Sequence, residues 1–229
     1  MNQVGLSIDR IIFVGVIHTD VDSVKHVRKM VKETKPKVVA VELDRERYAQ
    51  LTHPDTSNDS TETPKFTGEM TQDFLQHLAS LEKTLGDMTG SNVGDEMLAA
   101  IEEGRALGAK IALVDRPIQE TMHALMTVPL NELYGMMNML PDATKDIVDE
   151  GAKSLMDMLK EDGAIENIMG EFRNEFPGLT DVLINQRDQY VAKALHFILN
   201  DVEGNIVAVL GAGHLTGVRE SLEKLITES

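Results

Sequence analysis

The sequence predicts an α/β fold: a central, mainly parallel sheet with flanking helices and a helical insertion between the third and fourth strands. Three observations predict it. Four short runs rich in Val and Ile (Ile11–Val16, Val38–Leu43, Lys110–Val114 and Ile206–Leu210) read as strands buried on both faces. A helical pattern lies between the first two, as a parallel strand-helix-strand unit requires. The interval from Pro117 to Asn200 carries no strand pattern and is far longer than an ordinary crossover.

In chain order, Ile11–Val16 opens the sheet. Val21, Val24, Val27, Met30 and Val31 then share one helical face, and Pro36 ends that helix. Val38–Leu43 follows as the second strand. Residues 52–68, THPDTSNDSTETPKFTG, are polar and turn-forming and read as a mobile surface loop. Helices are expected over Thr71–Leu85 and Asp95–Leu107, with Asp95 as cap, Glu96 in the first turn and Gly108 as stop. The third strand runs into the tripeptide DRP. Residues 117–200 read as a largely helical insertion punctuated by Pro129, Pro141 and Pro177, within a single domain spanning 1–229. Eleven of the 13 methionines lie between Met70 and Met169. Met-rich helices serve either as adaptable core filling or as a groove for apolar ligands. The position of the insertion predicts a cover beside the strand ends.

Bulk composition narrows the function. Without cysteine there is no disulfide, zinc ribbon or thiolate chemistry. Asp plus Glu number 38 against 22 Lys plus Arg, a formal charge of −16, which disfavours nucleic acid and anionic membrane as partners. No apolar run reaches membrane-spanning length and no signal pattern opens the chain. The expectation is a cytoplasmic protein, or the soluble portion of a membrane-associated relative.

Ligands of parallel sheets bind beyond the carboxyl ends of the strands. Each predicted strand ends near a side chain able to bind metal or move protons: His18, Glu42, Asp115 and His214. Two of these close a repeated G-x-x-H, in FVGVIH and VLGAGH. Gly15, Gly211 and Gly213 permit close approach and a sharp exit at those ends. Two imidazoles and a carboxylate suit a divalent transition ion with coordination positions left open. GAGHLTG also admits a phosphate-binding turn, although its third glycine falls one residue late for G-x-G-x-x-G. Over Asp181–Leu199, Leu183, Tyr190, Val191, Ala194 and Ile198 line one helical face, with Arg187 in its middle and Asp188 at its edge. A guanidinium there requires a carboxylate partner, Glu42 or Asp115, or a polar cavity. Asp115 and Arg116 also fit a self-contained turn.

Four segments, GVIHTDVDSVKHVRKMVKETKPKVVAVELDRERY, GDEMLAAIEEGRALGAKIALVDRPIQET, INQRDQYVAKAL and IVAVLGAGHLTGV, resemble the TraB/PrgY pheromone-shutdown family in order and spacing. That family is grouped with the Tiki metalloproteases and, more distantly, with erythromycin esterase-like and ChaN-like (EreA/ChaN-like) proteins. The resemblance implies a metal site of His18, Glu42 and His214, with manganese or cobalt as the ion. It implies a metal-dependent peptide hydrolase in which Glu42, Arg187 and Asp115 take part in catalysis. Arg47, Glu96, Arg116 and Asp188 match further family positions and are expected to contact substrate. The implied partner is a small hydrophobic peptide, either cleaved or sequestered without catalysis. Pairing of two copies is left open. Many relatives carry C-terminal membrane segments, which this sequence lacks, and Val16 and Ile17 replace small or polar residues of the first motif.

Overall fold

The computed structural model describes residues 7–18, 20–53, 73, 76, 94–139 and 151–228. Its four strands are β1 (Ile11–Val16), β2 (Val38–Val41), β3 (Lys110–Leu113) and β4 (Ile206–Gly211). They form one sheet in the order β1-β4-β2-β3, and every pairing is parallel. The last strand in sequence therefore sits between the first two, and all six of its residues are buried. β1 is the outermost described strand on its side, so the two G-x-x-H histidines leave neighbouring strands of which only β4 is central.

Helices cover both faces. α1 (Val21–Thr34) and α3 (Asp95–Ala106) pack on one, where Val27, Val31, Met97 and Ile101 meet Val39, Val41, Val207 and Val209. α8 (Gln186–Asp201) and α9 (Leu215–Thr227) pack on the other, where Val191, Leu195, Val218 and Leu222 meet Val38, Ala40, Ile206 and Ala208. Alternate residues of each strand thus feed opposite layers, which is why the strands read as unbroken apolar runs. Each fully buried Val or Leu contributes about 1.5–3 kcal/mol relative to exposure.

Caps set the strand-to-helix turns. Asp20 accepts the Ser23 N–H at 3.0 Å, while Ser23 Oγ accepts the Ile17 N–H at 3.2 Å. This locks the turn that carries His18. Lys35 closes α1 in the left-handed region at φ 47°, just before Pro36. Asp44 accepts the Arg47 N–H at 2.7 Å, capping α2 (Arg45–Thr52). Its other oxygen accepts the Ile118 N–H at 2.6 Å, at the start of α4 (Ile118–Leu125). α3 departs from expectation: its cap is Gly94, at φ 92°, rather than Asp95. A residue in that conformation is best a glycine, and this places Asp95 and Glu96 inside the first turn.

Between β3 and β4 the described chain has no strand and runs through α4, residues 130–139, α5 (Ala152–Leu159), α6 (Ala164–Glu175), the short α7 (Pro177–Thr180), and a π-type turn over Asp181–Asn185 leading into α8. Leu125, Leu133, Phe176, Leu179 and Val182 form a separate apolar cluster here. Met136 and Met137 pack against that cluster, whereas Met126 and Met139 are exposed. Most of the 52–68 loop and of the helix expected over Thr71–Leu85 lies outside the described residues. Thr52 ends α2 and His53 caps it, while residues 73 and 76 are helical and Asp73 is buried. Among the described residues no helix is long and apolar enough to cross a membrane.

Candidate active site at the carboxyl ends of the strands

Parallel strands deliver their carboxyl ends to one edge of the sheet. His18 follows β1 by two residues, Glu42 follows β2 directly, Asp115 follows β3 by two, and His214 closes the single 3-10 turn that succeeds β4. Gly211 marks where three of these side chains meet. A Cβ there would lie 3.4 Å from His18 Nε2, 3.5 Å from Glu42 Oε2 and 3.5 Å from His214 Cδ2. The Gly211 N–H donates to Glu42 Oε2 at 2.7 Å, so one oxygen of this buried carboxylate is fixed by the backbone.

Each imidazole is held by a buried carboxylate. His18 Nδ1 lies 2.5 Å from Glu96 Oε1, and His214 Nδ1 lies 2.6 Å from Asp188 Oδ1. Glu96 is 1% and Asp188 4% exposed. A carboxylate at Nδ1 favours the tautomer whose Nε2 lone pair is available, the usual support for a histidine ligand or base. Burial pushes the Asp188 carboxyl up, partly offset by its bond to His214.

Arg187 ties the centre together. Its Nη2 donates to Glu42 Oε1 at 2.6 Å and to Asp115 Oδ2 at 2.8 Å, and its Nε donates to Asp115 Oδ1 at 3.1 Å. Its Nη1 donates to the Leu183 carbonyl at 3.3 Å and stands 3.3 Å from His214 Nε2. Burial opposes the charge on this guanidinium, but Glu42 and Asp115 more than compensate and push its pKa up. Burial would likewise raise Glu42. The neighbouring His214, Arg187 and His18, with the Gly211 N–H, overcome it and hold the carboxyl at about 2.

A cavity of about 490 Å³ opens above this centre. His18, Glu42, Arg187, His214 and Arg47 supply its polar wall; Leu51 of α2 and Met97 of α3 line it too, and Leu159, Ile165, Met169 and Ile184 line it from the helices between β3 and β4. Part of that insertion therefore stands over the strand ends, with Met169 Sδ 3.3 Å from where a Gly213 Cβ would be.

The sequence-predicted residues divide by position. His18, Glu42, His214, Arg187 and Arg47 face the cavity. Asp115, Glu96 and Asp188 sit behind them, bonded to cavity residues rather than lining it themselves. Arg116 is elsewhere: its Nη1 donates to Gln186 at 2.7 Å and its Nε to Glu120 at 3.4 Å. The buried face of this helix differs from the sequence-predicted one. α8 buries Asp188, Val191, Ala192, Leu195 and Leu199, while Tyr190 is 39% exposed. The π-type turn, in which the Gln186 N–H reaches back to the Asp181 carbonyl, shifts the phase of everything before it relative to α8. Within α8 itself Arg187 lies at the margin of the buried stripe and Asp188 within it. The apolar lining from Leu159 to Ile184 carried no sequence signal beyond helical period. Gly217 is a further missed contributor: it leaves no room for a Cβ against the Asp188 carboxylate, and its only trace in the sequence is its place in GAGHLTG.

The donor chemistry suits a divalent transition ion: two carboxylate-backed imidazoles, and Glu42 Oε1 at 3.4 Å from His214 Nε2. As they stand, no three such side chains among the described residues group closely enough to hold one, and Arg187 Nη2 sits on Glu42 Oε1.

Comparison with known proteins adds a family. The model of the TraB/PrgY/gumN family matches residues 5–228. An uncharacterised protein of Methanocaldococcus jannaschii is 31% identical over 218 residues, covering 94% of this chain and 54% of that protein. TraB domain-containing proteins of Homo sapiens and Bos taurus are 24% and 25% identical, each over 93% of this chain and 62% of the relative. The chain thus spans between half and two thirds of the length of these relatives.

Proposed function

The chain belongs to the TraB/PrgY/gumN family, and we propose that it is a metal-dependent hydrolase that cleaves small apolar peptides in the cavity above the strand ends. The observation that carries this reading is the pair of imidazoles, each backed by a buried carboxylate, set around Glu42 and Arg187 at the floor of a largely apolar cavity.

His18, His214 and Glu42 are the residues that would hold the ion, manganese or cobalt, which when bound supplies Lewis acidity and a more acidic water. The chain's own residues prepare the site. Glu96 and Asp188 fix the rings so that both Nε2 atoms serve the cavity. Arg187 Nη1, beside His214 Nε2, is placed to donate to the carbonyl oxygen on which negative charge develops as water adds. Asp115 holds that guanidinium in orientation through two bonds. Glu42 remains ionised despite burial, so Oε1 can serve the ion or, in its place, accept the proton of the attacking water. The apolar wall excludes solvent and receives apolar side chains.

Titration calorimetry with Mn²⁺, Co²⁺ and Zn²⁺ near pH 7.5, together with turnover of a peptide library with and without chelator, tests this. Binding of one ion per chain is expected, lost in His18→Ala and His214→Ala, with turnover abolished by chelation. Unchanged binding in both variants would reject the ion site. The Met-lined cavity favours a second reading, a module that sequesters a peptide without cleaving it. Peptide binding with no turnover under any metal would select that reading. Cytoplasmic location and pairing of two copies accompany the proposal as expectations for fractionation and light scattering.

A further inference from the structure

We propose that Arg47 is an anchor for the C-terminal carboxylate of the substrate, so that the site removes single apolar residues from the C-terminus of a peptide; this rests on the hydrolase reading above.

Arg47 differs from the other cations of the site. Arg187 has the Asp115 carboxylate on two of its nitrogens and Glu42 besides. Asp115 also accepts the Arg116 N–H at 2.8 Å, so its oxygens are already used. Arg47 reaches Asp115 Oδ2 only at 3.5 Å, through Nη1, and its side chain is 34% exposed at the cavity wall. The guanidinium has five N–H donors arranged as a fork that matches a carboxylate. Arg47 lines the cavity, and among the described residues most of that fork has no partner.

Spacing then sets the register. Arg47 and Arg187 both touch Asp115 Oδ2, at 3.5 and 2.8 Å, so their nearest nitrogens stand within about 6.3 Å of each other. Consecutive Cα atoms are about 3.8 Å apart. One residue is therefore enough to bridge a carbonyl oxygen at Arg187 and a terminal carboxylate at Arg47. Leu51 lies one turn beyond Arg47 on α2 and lines the same cavity with Met97, providing an apolar seat for the last side chain. In the reaction water adds to the carbonyl of the final peptide bond, the C–N bond breaks, and the departing amine takes a proton. The products are the peptide shortened by one residue and a free amino acid. The formal charge of −16 opposes anions at long range. Capture then depends on contact, at an ionic strength where that repulsion is screened.

The test pairs binding with cleavage at about 0.15 M salt. Binding of N-acetyl-phenylalanine and of N-acetyl-phenylalaninamide is measured by calorimetry for wild type, Arg47→Gln and Arg47→Lys, each first shown folded by circular dichroism. The acid should bind at least about tenfold more tightly than the amide to wild type, as expected for a charge-assisted contact. Arg47→Gln should remove that preference and Arg47→Lys should restore part of it. Equal binding of acid and amide by wild type, or a preference that survives Arg47→Gln, would overturn the anchor. In parallel, an N-acetylated apolar tripeptide is offered as free acid and as amide, with products read by mass spectrometry. Loss of one C-terminal residue from the acid alone supports the proposal, and cleavage of both forms at an internal bond overturns it. An Arg47-dependent preference for the acid without any cleavage would support the anchor while rejecting the hydrolase.

Discussion

Arg187 decides most at the residue scale, because it neutralises two buried carboxylates at once. Removing it leaves Glu42 without its guanidinium partner and Asp115 with only the 3.5 Å contact to Arg47. Arg187→Leu should therefore cost on the order of 3 kcal/mol in denaturant unfolding, and a loss below about 1 kcal/mol, the range of exposed pairs, would show that the network is solvated. Glu42 links the same network to pH. Its carboxyl is held at about 2 in the folded chain against an ordinary 4.5. Because the folded value is the lower one, its contribution to stability is complete above about 4.5. It is lost as pH falls from there toward about 2. The stability gap between wild type and Glu42→Gln should narrow on acidification through that window. A gap that widened instead would reverse the sign of the argument.

Helix geometry governs how the histidines are backed. Asp188 belongs to the buried face of α8 and reaches His214 because Gly217, on the facing α9, presents no side chain. Gly217→Ala would raise helix propensity by up to about 1 kcal/mol, yet it drives a methyl into the Asp188 carboxylate. Net destabilisation is expected, with loss of the downfield His214 Nδ1 proton resonance. A more stable protein with that resonance intact would show that Asp188 can move aside. The π-type turn before α8 acts at the same scale. It rotates the residues ahead of α8, Leu183 among them, against that helix, so even spacing from Asp181 onward does not hold across the junction.

For the whole molecule the insertion must be held over the strand ends, and one visible connection is ionic. Lys160, which caps α5, donates to Asp20 at 3.0 Å and Asp22 at 3.2 Å around the start of α1. These contacts raise the pKa of the lysine and lower that of Asp22. Their exposure keeps the contribution to global stability small. Lys160→Ala should leave the unfolding midpoint nearly unchanged but speed amide exchange across α5 and α6, while the strands stay protected. Equal exchange in both proteins would mean that apolar contacts alone seat the insertion.

The sequence by itself determined the sheet, its parallel sense and the edge on which chemistry would gather. Runs such as IVAVLG carry the signature of strands buried on both faces, and parallel strands must end together. It also singled out His18, Glu42, Asp115, His214 and Arg187, as polar groups interrupting apolar patterns. Only the tertiary structure decided that β4 enters between β1 and β2, because strand order depends on pairings between residues nearly two hundred positions apart. It alone decided that Glu96 and Asp188 back the histidines, that Arg116 stands apart, and that among the described residues Arg47 keeps most of its donors unused. The physical reason is common to all four. Periodicity reports which face of an element is apolar, whereas the partner of a buried charge is chosen by whichever other element the packing brings within about 3 Å of it.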